Sequence, residues 1–248
     1  MSFRKRFFPL LLIVVLALLL FVAPQLVELA QNARTGAMLT WFAGSEGERV
    51  AMLTVQREPC PGAPFVLPAD GFIGLVYADK GGPYSRSRPH QGIDIFSPDR
   101  DQGGLVPVYA AYDGYISREG SWRSALIQRI PRDPLSPDRQ IWLYYAHMAD
   151  EQGNSFIAEA FPPGSSEIFV SQGTLLGYTG NYNGASNRSI WVHLHFSLVK
   201  DNGQGQYLNE LEFENTIDPS PYLGLPLHYD CAPTTPVCGP IDRCGRSG

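Results

Sequence analysis

Between Gly71 and Leu223 the apolar positions fall into short runs broken by Gly, Pro and Asp: GFIGLVY, HQGIDIF, PVYAAYDGYIS, ALIQRI, QIWLYYAHM, EIFVSQG, TLLGYTG and SIWVHLHFSLV. Runs of this length and spacing predict β-strands and an all-β domain. The last run alternates most strictly. Val192, Leu194, Phe196 and Leu198 share one face, which leaves His193 and His195 two residues apart on the other. QIWLYYAHM puts Ile141, Leu143, Tyr145 and His147 on one face, so alternation sets His147 on the core side. Asp113-Gly114 reads as hairpin turn chemistry rather than as a catalytic carboxylate. Residues 25–59 have no sustained period; they read as a spacer or small subdomain with one short helix and one strand.

Near the N-terminus the pattern changes to an apolar run of 17 residues, Phe7 to Ala23, uncharged and interrupted only by Pro9. It follows Arg4-Lys5-Arg6, the arrangement of a membrane-targeting segment whose positive end stays in the cytoplasm. The run is apolar all round, which argues against a buried core helix. No A-x-A site follows it, so residues 1–24 read as an uncleaved signal anchor, with a cleaved signal peptide as the alternative. Either way the body is extracytoplasmic, anchored in the cytoplasmic membrane or secreted. Residues 60–224 form the expected main domain, and 225–248 a Cys/Pro-rich tail. In an oxidising compartment the four cysteines suggest two disulfides, and every possible pairing ties Cys60 to Cys231, Cys238 or Cys244. The net charge of −5, with no basic stripe, excludes a nucleic-acid partner.

Candidate chemistry comes from the histidines, of which the chain has five. In RPHQGIDIF, His90 and Asp94 flank Gly92, and the neighbouring prolines and β-branched residues make a helix improbable. A bend at the glycine lets the two tips converge as a two-ligand clamp. Joined to the H-x-H pair, the inventory becomes His, Asp, His: three N/O ligands that suit one zinc ion and leave a fourth position open, as in catalytic zinc sites.

The segments RPHQGIDIFSP, VPVYAAYDGYIS, YYAHM, VSQGTLLGYTGN, HLHFSL and IDPSPYL resemble, in content and order, the lysostaphin-like M23 zinc endopeptidases. The resemblance runs from about Phe72 to Leu223. It implies an antiparallel β-sheet domain with a substrate groove and a zinc ion held by His90, Asp94 and His195. His147 and His193 become the catalytic, non-ligand histidines, their individual roles open, and Tyr84 a candidate substrate-binding tyrosine. The implied reaction is hydrolysis of amide bonds in peptidoglycan cross-linking peptides by a metal-activated water. Asp94 would be the single negative charge of the ligand set, leaving the site net positive. Members often carry Gly-Pro before H-x-H and Glu after the Phe, where this chain has Trp191-Val192 and Ser197, and the stretch from Gly180 to His193 is longer; which bond is cut therefore stays open. The alternatives are a D-Ala-D-Ala-type zinc carboxypeptidase, whose first ligand pair is more widely spaced, and a non-catalytic envelope module that binds or activates a partner hydrolase. No oligomeric state is implied.

Overall fold

Each of the eight apolar runs contains strand. In the computed structural model, which describes residues 33–98, 105–184, 189–239 and 241, these are β1 (Phe72–Leu75), β2 (Ile93–Phe96), β3 (Pro107–Tyr109), β4 (Gly114–Ser117), β5 (Leu126–Ile130), β6 (Ile141–Ala146), β7 (Ile168–Val170), β8 (Leu175–Tyr178), β9 (Gly180–Tyr182) and β10 (Ser189–Lys200), followed by the short β11 (Thr216–Ile217). The membrane segment expected at residues 1–24 and Cys244 lie outside the described residues, among which no helix is long and apolar enough to cross a membrane.

The fold is mostly antiparallel β-sheet with few helices. The main sheet runs β1-β2-β10-β6-β5-β4-β7, and β3 and β8 form a second, two-stranded sheet. The long β10 is the spine. Its residues 193–196 pair with β2 and 198–199 with β11, while 195–200 pair with β6 and 189–193 with β9. Since β6 overlaps both β2 and β11 along β10, those two share one edge and β6 and β9 the other. Leu194, Phe196 and Leu198 enter the core with Leu143 and Tyr145 of β6 and Ile93 and Ile95 of β2. The opposite face carries His193, His195 and Ser197, all buried, so it is not the solvated face that a lone H-x-H pair would suggest.

Asp113-Gly114 does not close a hairpin. β3 pairs with β8, whereas β4 pairs with β5 and β7. Asp113 Oδ1 instead accepts the Gln172 N–H at 2.7 Å, and a Cβ at Gly114 would sit 2.6 Å from the Arg129 carbonyl oxygen. The glycine permits close strand approach.

Residues 33–59 differ from the expected helix and strand. They form two helices, α1 (Ala33–Ala43) and α2 (Glu46–Val50), the second opened by a Ser45/Glu48 capping box. In place of a strand there is a single bridge, Thr54 to Gly71. Nor is the stretch a free spacer. Ala37 and Trp41, four apart on one helical face, pack on Phe72, Leu75 and Phe96, with the Trp41 and Phe72 rings stacked 4.9 Å apart. Arg34 donates to the carbonyls of Ile73 and Gly74 at 2.7 and 2.8 Å, covering groups that edge strand β1 would otherwise expose. Trp41 is only 1% exposed, so Trp41→Ala is expected to destabilise the protein by about 3–5 kcal/mol. Urea unfolding monitored by circular dichroism measures this; a loss below about 1 kcal/mol would return α1 to the role of a spacer.

The far end of the chain is tied in as well. Leu225 and Leu227 belong to the core, Cys60 is bonded to Cys238, and Cys231 is also disulfide-bonded. The one-turn α3 (Ser220–Leu223) stops at Gly224, whose φ of +65° and closeness to Cys60 both demand glycine.

Candidate metal centre and groove

Strand register sets the centre. Asp94 of β2 lies directly across from His195 of β10, and the small Ala146 of β6 is the partner of His195 on the other side. His90 precedes β2 by a bend at Gln91 and Gly92. The glycine is required by contact: a Cβ there would lie 2.3 Å from the Phe196 carbonyl oxygen. His90 Nε2 is 3.2 Å from Asp94 Oδ1 and 3.2 Å from His195 Nδ1, and Asp94 Oδ1 is 2.8 Å from His195 Nδ1. All three residues are buried.

Tautomers follow from the second nitrogen of each ring. His90 Nδ1 faces the Val76 carbonyl at 3.0 Å. A carbonyl only accepts, so Nδ1 carries the proton and Nε2 offers a lone pair. His195 Nε2 faces Glu210 Oε1 at 2.8 Å, which likewise leaves Nδ1 pointing to Asp94. Two imidazole nitrogens and a carboxylate oxygen converge in a buried place and need positive charge between them, either the proton that His195 holds in the metal-free protein or a metal ion that displaces it. Four ligands set tetrahedrally about 2.0–2.1 Å from zinc would be about 3.3 Å apart, close to the observed spacing. The residues therefore fit a zinc ion, with His90, Asp94 and His195 as the holders.

His193 and His147 lie beside this triad. His193 Nε2 is 3.8 Å from Asp94 Oδ1, and its ring centroid is 4.6 Å from that of His147. Each gives its Nδ1–H to a carbonyl at 2.6 Å, His193 to Trp191 and His147 to Tyr182, so each keeps an unprotonated Nε2. Alternation along β6 placed His147 in the core, and the structure corrects this. β6 ends at Ala146, and His147 takes φ +69°, which breaks the alternation and brings its ring to the histidine face. A left-handed, non-glycine residue of this kind is rare and concentrates at functional sites. Tyr84 stacks on His90 with centroids 4.3 Å apart.

The charges are strongly coupled. Burial pushes the Asp94 carboxyl up, but the imidazoles of His90, His193 and His195 gathered around it outweigh this and hold it well below the usual carboxylate range. Burial presses His195 down, yet Glu210 and Asp94 raise it to about 10, so a cation entering the site displaces a proton there. His147 is pushed down to about 3, by burial first and then by His193 and His195; burial likewise lowers His193. Both are neutral proton acceptors at pH 7. Burial and the nearby Asp94 keep the Tyr84 phenol protonated.

Two features were not read from the sequence. Glu210 is a second carboxylate at the centre, so the formal charge of a divalent ion with Asp94 and Glu210 is zero rather than net positive. Its only trace in the sequence is Ser197, the small residue that makes room for it. The other feature is the α1 wall. A groove of about 1000 Å³ passes the centre, lined by Met38 and Phe42 of α1 together with Tyr84, Trp191 and His193. The Phe42 and Trp191 rings pack together at 4.6 Å in this lining.

No family model and no curated protein matches the chain. Among solved structures the chain is similar to M23-type peptidases. A protein assigned as the glycyl-glycine endopeptidase LytM of Ruminococcus gnavus is 20% identical over 74% of this chain and 64% of its own, with a TM-score of 0.39. Lysostaphin is 21% identical over 61% of this chain and 49% of its own, TM-score 0.37. The catalytic domain of the prophage-encoded M23 protein EnpA of Enterococcus faecalis, solved as a point mutant, is 22% identical over 61% of this chain and 93% of its own, TM-score 0.35. The chain thus spans less than two thirds of the first two. Likeness at this level defines neither activity nor substrate, which depend on the side chains in the groove.

Proposed function

We propose that this chain is an extracytoplasmic zinc endopeptidase of the lysostaphin-like M23 kind, cutting amide bonds in the cross-linking peptides of peptidoglycan. The observation that carries the reading is the convergence of His90 Nε2, Asp94 Oδ1 and His195 Nδ1, with pairwise distances of 2.8–3.2 Å, beside a groove that Asp94, His147 and His193 line. When bound there, zinc supplies Lewis acidity for a peptide carbonyl and lowers the pKa of water. The chain's own residues do the rest. His147 and His193 present unprotonated Nε2 atoms on the groove side of the triad, positions from which one takes a proton and the other, once protonated, holds the developing oxyanion or the leaving amine. Tyr84 stiffens His90 by stacking and lines the same groove. The apolar wall of Met38, Phe42 and Trp191 orients an extended peptide across the site.

The choice of peptidoglycan rests on the export signal and on the six ordered sequence segments. Full-length protein loaded with zinc and incubated with purified peptidoglycan is expected to release free amino groups, and mass analysis of the products to show cross-links cut internally. Release of single terminal amino acids would replace this reading with a carboxypeptidase. A folded wild type that takes up no zinc and releases nothing would leave only a binding module.

A further inference from the structure

We propose that Glu210 is a positioning residue of the metal centre, accepting the Nε2–H of His195 and so holding that ring with its Nδ1 lone pair turned toward His90 and Asp94. This rests on the metal-centre reading above and extends it to a residue on a separate segment of chain. Glu210 Oε1 is 2.8 Å from His195 Nε2 and receives a second donor, the Ser197 hydroxyl, at 3.1 Å. Its side chain is only 13% exposed. An ionised carboxylate only accepts, so it selects the tautomer with hydrogen on Nε2. Without it, Asp94 would be the sole strong acceptor on the ring and would draw the hydrogen to Nδ1, where it blocks ligation.

The surrounding turn is built to keep Glu210 in place. The Leu211 carbonyl accepts from Gln91 Nε2 at 3.0 Å, joining the turn to the His90–Asp94 loop. Asn209 Oδ1 accepts the Leu211 N–H at 3.2 Å, and Asn215 Nδ2 donates to the Asn209 carbonyl at 3.0 Å and to Glu212 Oε2 at 3.0 Å. Lys200 Nζ, at the end of β10, donates to the Glu214 carbonyl at 2.6 Å. Glu210 is thus braced from both sides, by the strand that carries His195 and by the loop that carries His90. Ser197, on the same face of β10 as His195, is small enough to admit the carboxylate and supplies it with a donor. Carboxylate, imidazole and metal in line is an arrangement that fixes ring orientation and raises ligand basicity.

The test is zinc affinity, measured by chelator competition on full-length protein, together with ¹⁵N shifts that report which nitrogen of His195 binds the ion. Glu210→Ala is expected to weaken zinc binding about 10- to 100-fold and to lose exclusive Nδ1 ligation. Glu210→Gln, which keeps the shape and one acceptor, is expected to lose less than Glu210→Ala but still several-fold. It also decides the matter if the alanine variant does not fold. Zinc-binding wild type with a Glu210→Gln variant of the same affinity and the same Nδ1 ligation overturns the assignment of Glu210 alone. A wild type without zinc affinity overturns the metal centre, and this role with it.

Discussion

Alanine at His90, Asp94 or His195 is expected to remove stoichiometric zinc and to lower peptidoglycan hydrolysis by about 10³-fold or more, a loss equivalent to only about 4 kcal/mol of transition-state stabilisation. The three are not interchangeable with any neighbour. The next nearest nitrogen, His193 Nε2, already lies 3.8 Å from Asp94 Oδ1 and belongs to the groove side. Chelation of the wild type should reproduce the loss, and added zinc should reverse it. The same ion should stabilise the fold, because it binds the native arrangement of β2 and β10 and not the separated strands. At free zinc about 1,000-fold above Kd the stabilisation is about 4 kcal/mol, or about 8–16 °C in Tm for a domain of this size. A calorimetric scan with and without zinc reads this directly, and the ligand variants should show no shift. Wild type whose activity survives exhaustive chelation, or whose Tm ignores zinc, would sink the metal centre.

Much of this centre could be read from the sequence because its logic is local. The period of two along β10 puts His193 and His195 on one face whatever the rest of the chain does, and a bend at Gly92 is enough to bring His90 and Asp94 together. What joins the two pieces, Asp94 opposite His195, is a register between strands about 100 residues apart, which no local pattern encodes. His147 shows a different limit. Alternation is a rule for continuous strand, and one left-handed residue after Ala146 reverses the side on which the ring emerges. Glu210 is hidden for a third reason: an acidic residue in NELEFEN looks solvated until the turn folds back on β10. The α1 wall was more legible than its reading as a spacer allowed. Ala37 and Trp41 stand at helical spacing, but the stretch is short and its partner surface, the edge formed by β1 and β2, exists only after folding. The hairpin expected at Asp113-Gly114 failed because the turn rule assumes that sequential strands pair, whereas β3 and β4 belong to different sheets.

Replacing His193 or His147 should separate chemistry from metal binding. His193→Ala and His147→Asn are expected to bind zinc with near wild-type affinity and to lose about 10²–10⁴ in kcat, the range of a positioned general acid or base. Asparagine is the better choice at 147, because it tolerates the left-handed backbone that alanine would strain. Glutamine variants then divide the roles. An amide can donate to an oxyanion but cannot take a proton from water, so the histidine that serves as base should lose nearly as much on change to Gln as on deletion. The one that stabilises the oxyanion should keep part of its effect, since a single such donor contributes about 10²–10³. Should His147→Asn retain full kcat while lowering stability, the residue would be a packing histidine, and its place 4.6 Å from His193 would be a consequence of the turn rather than of the reaction.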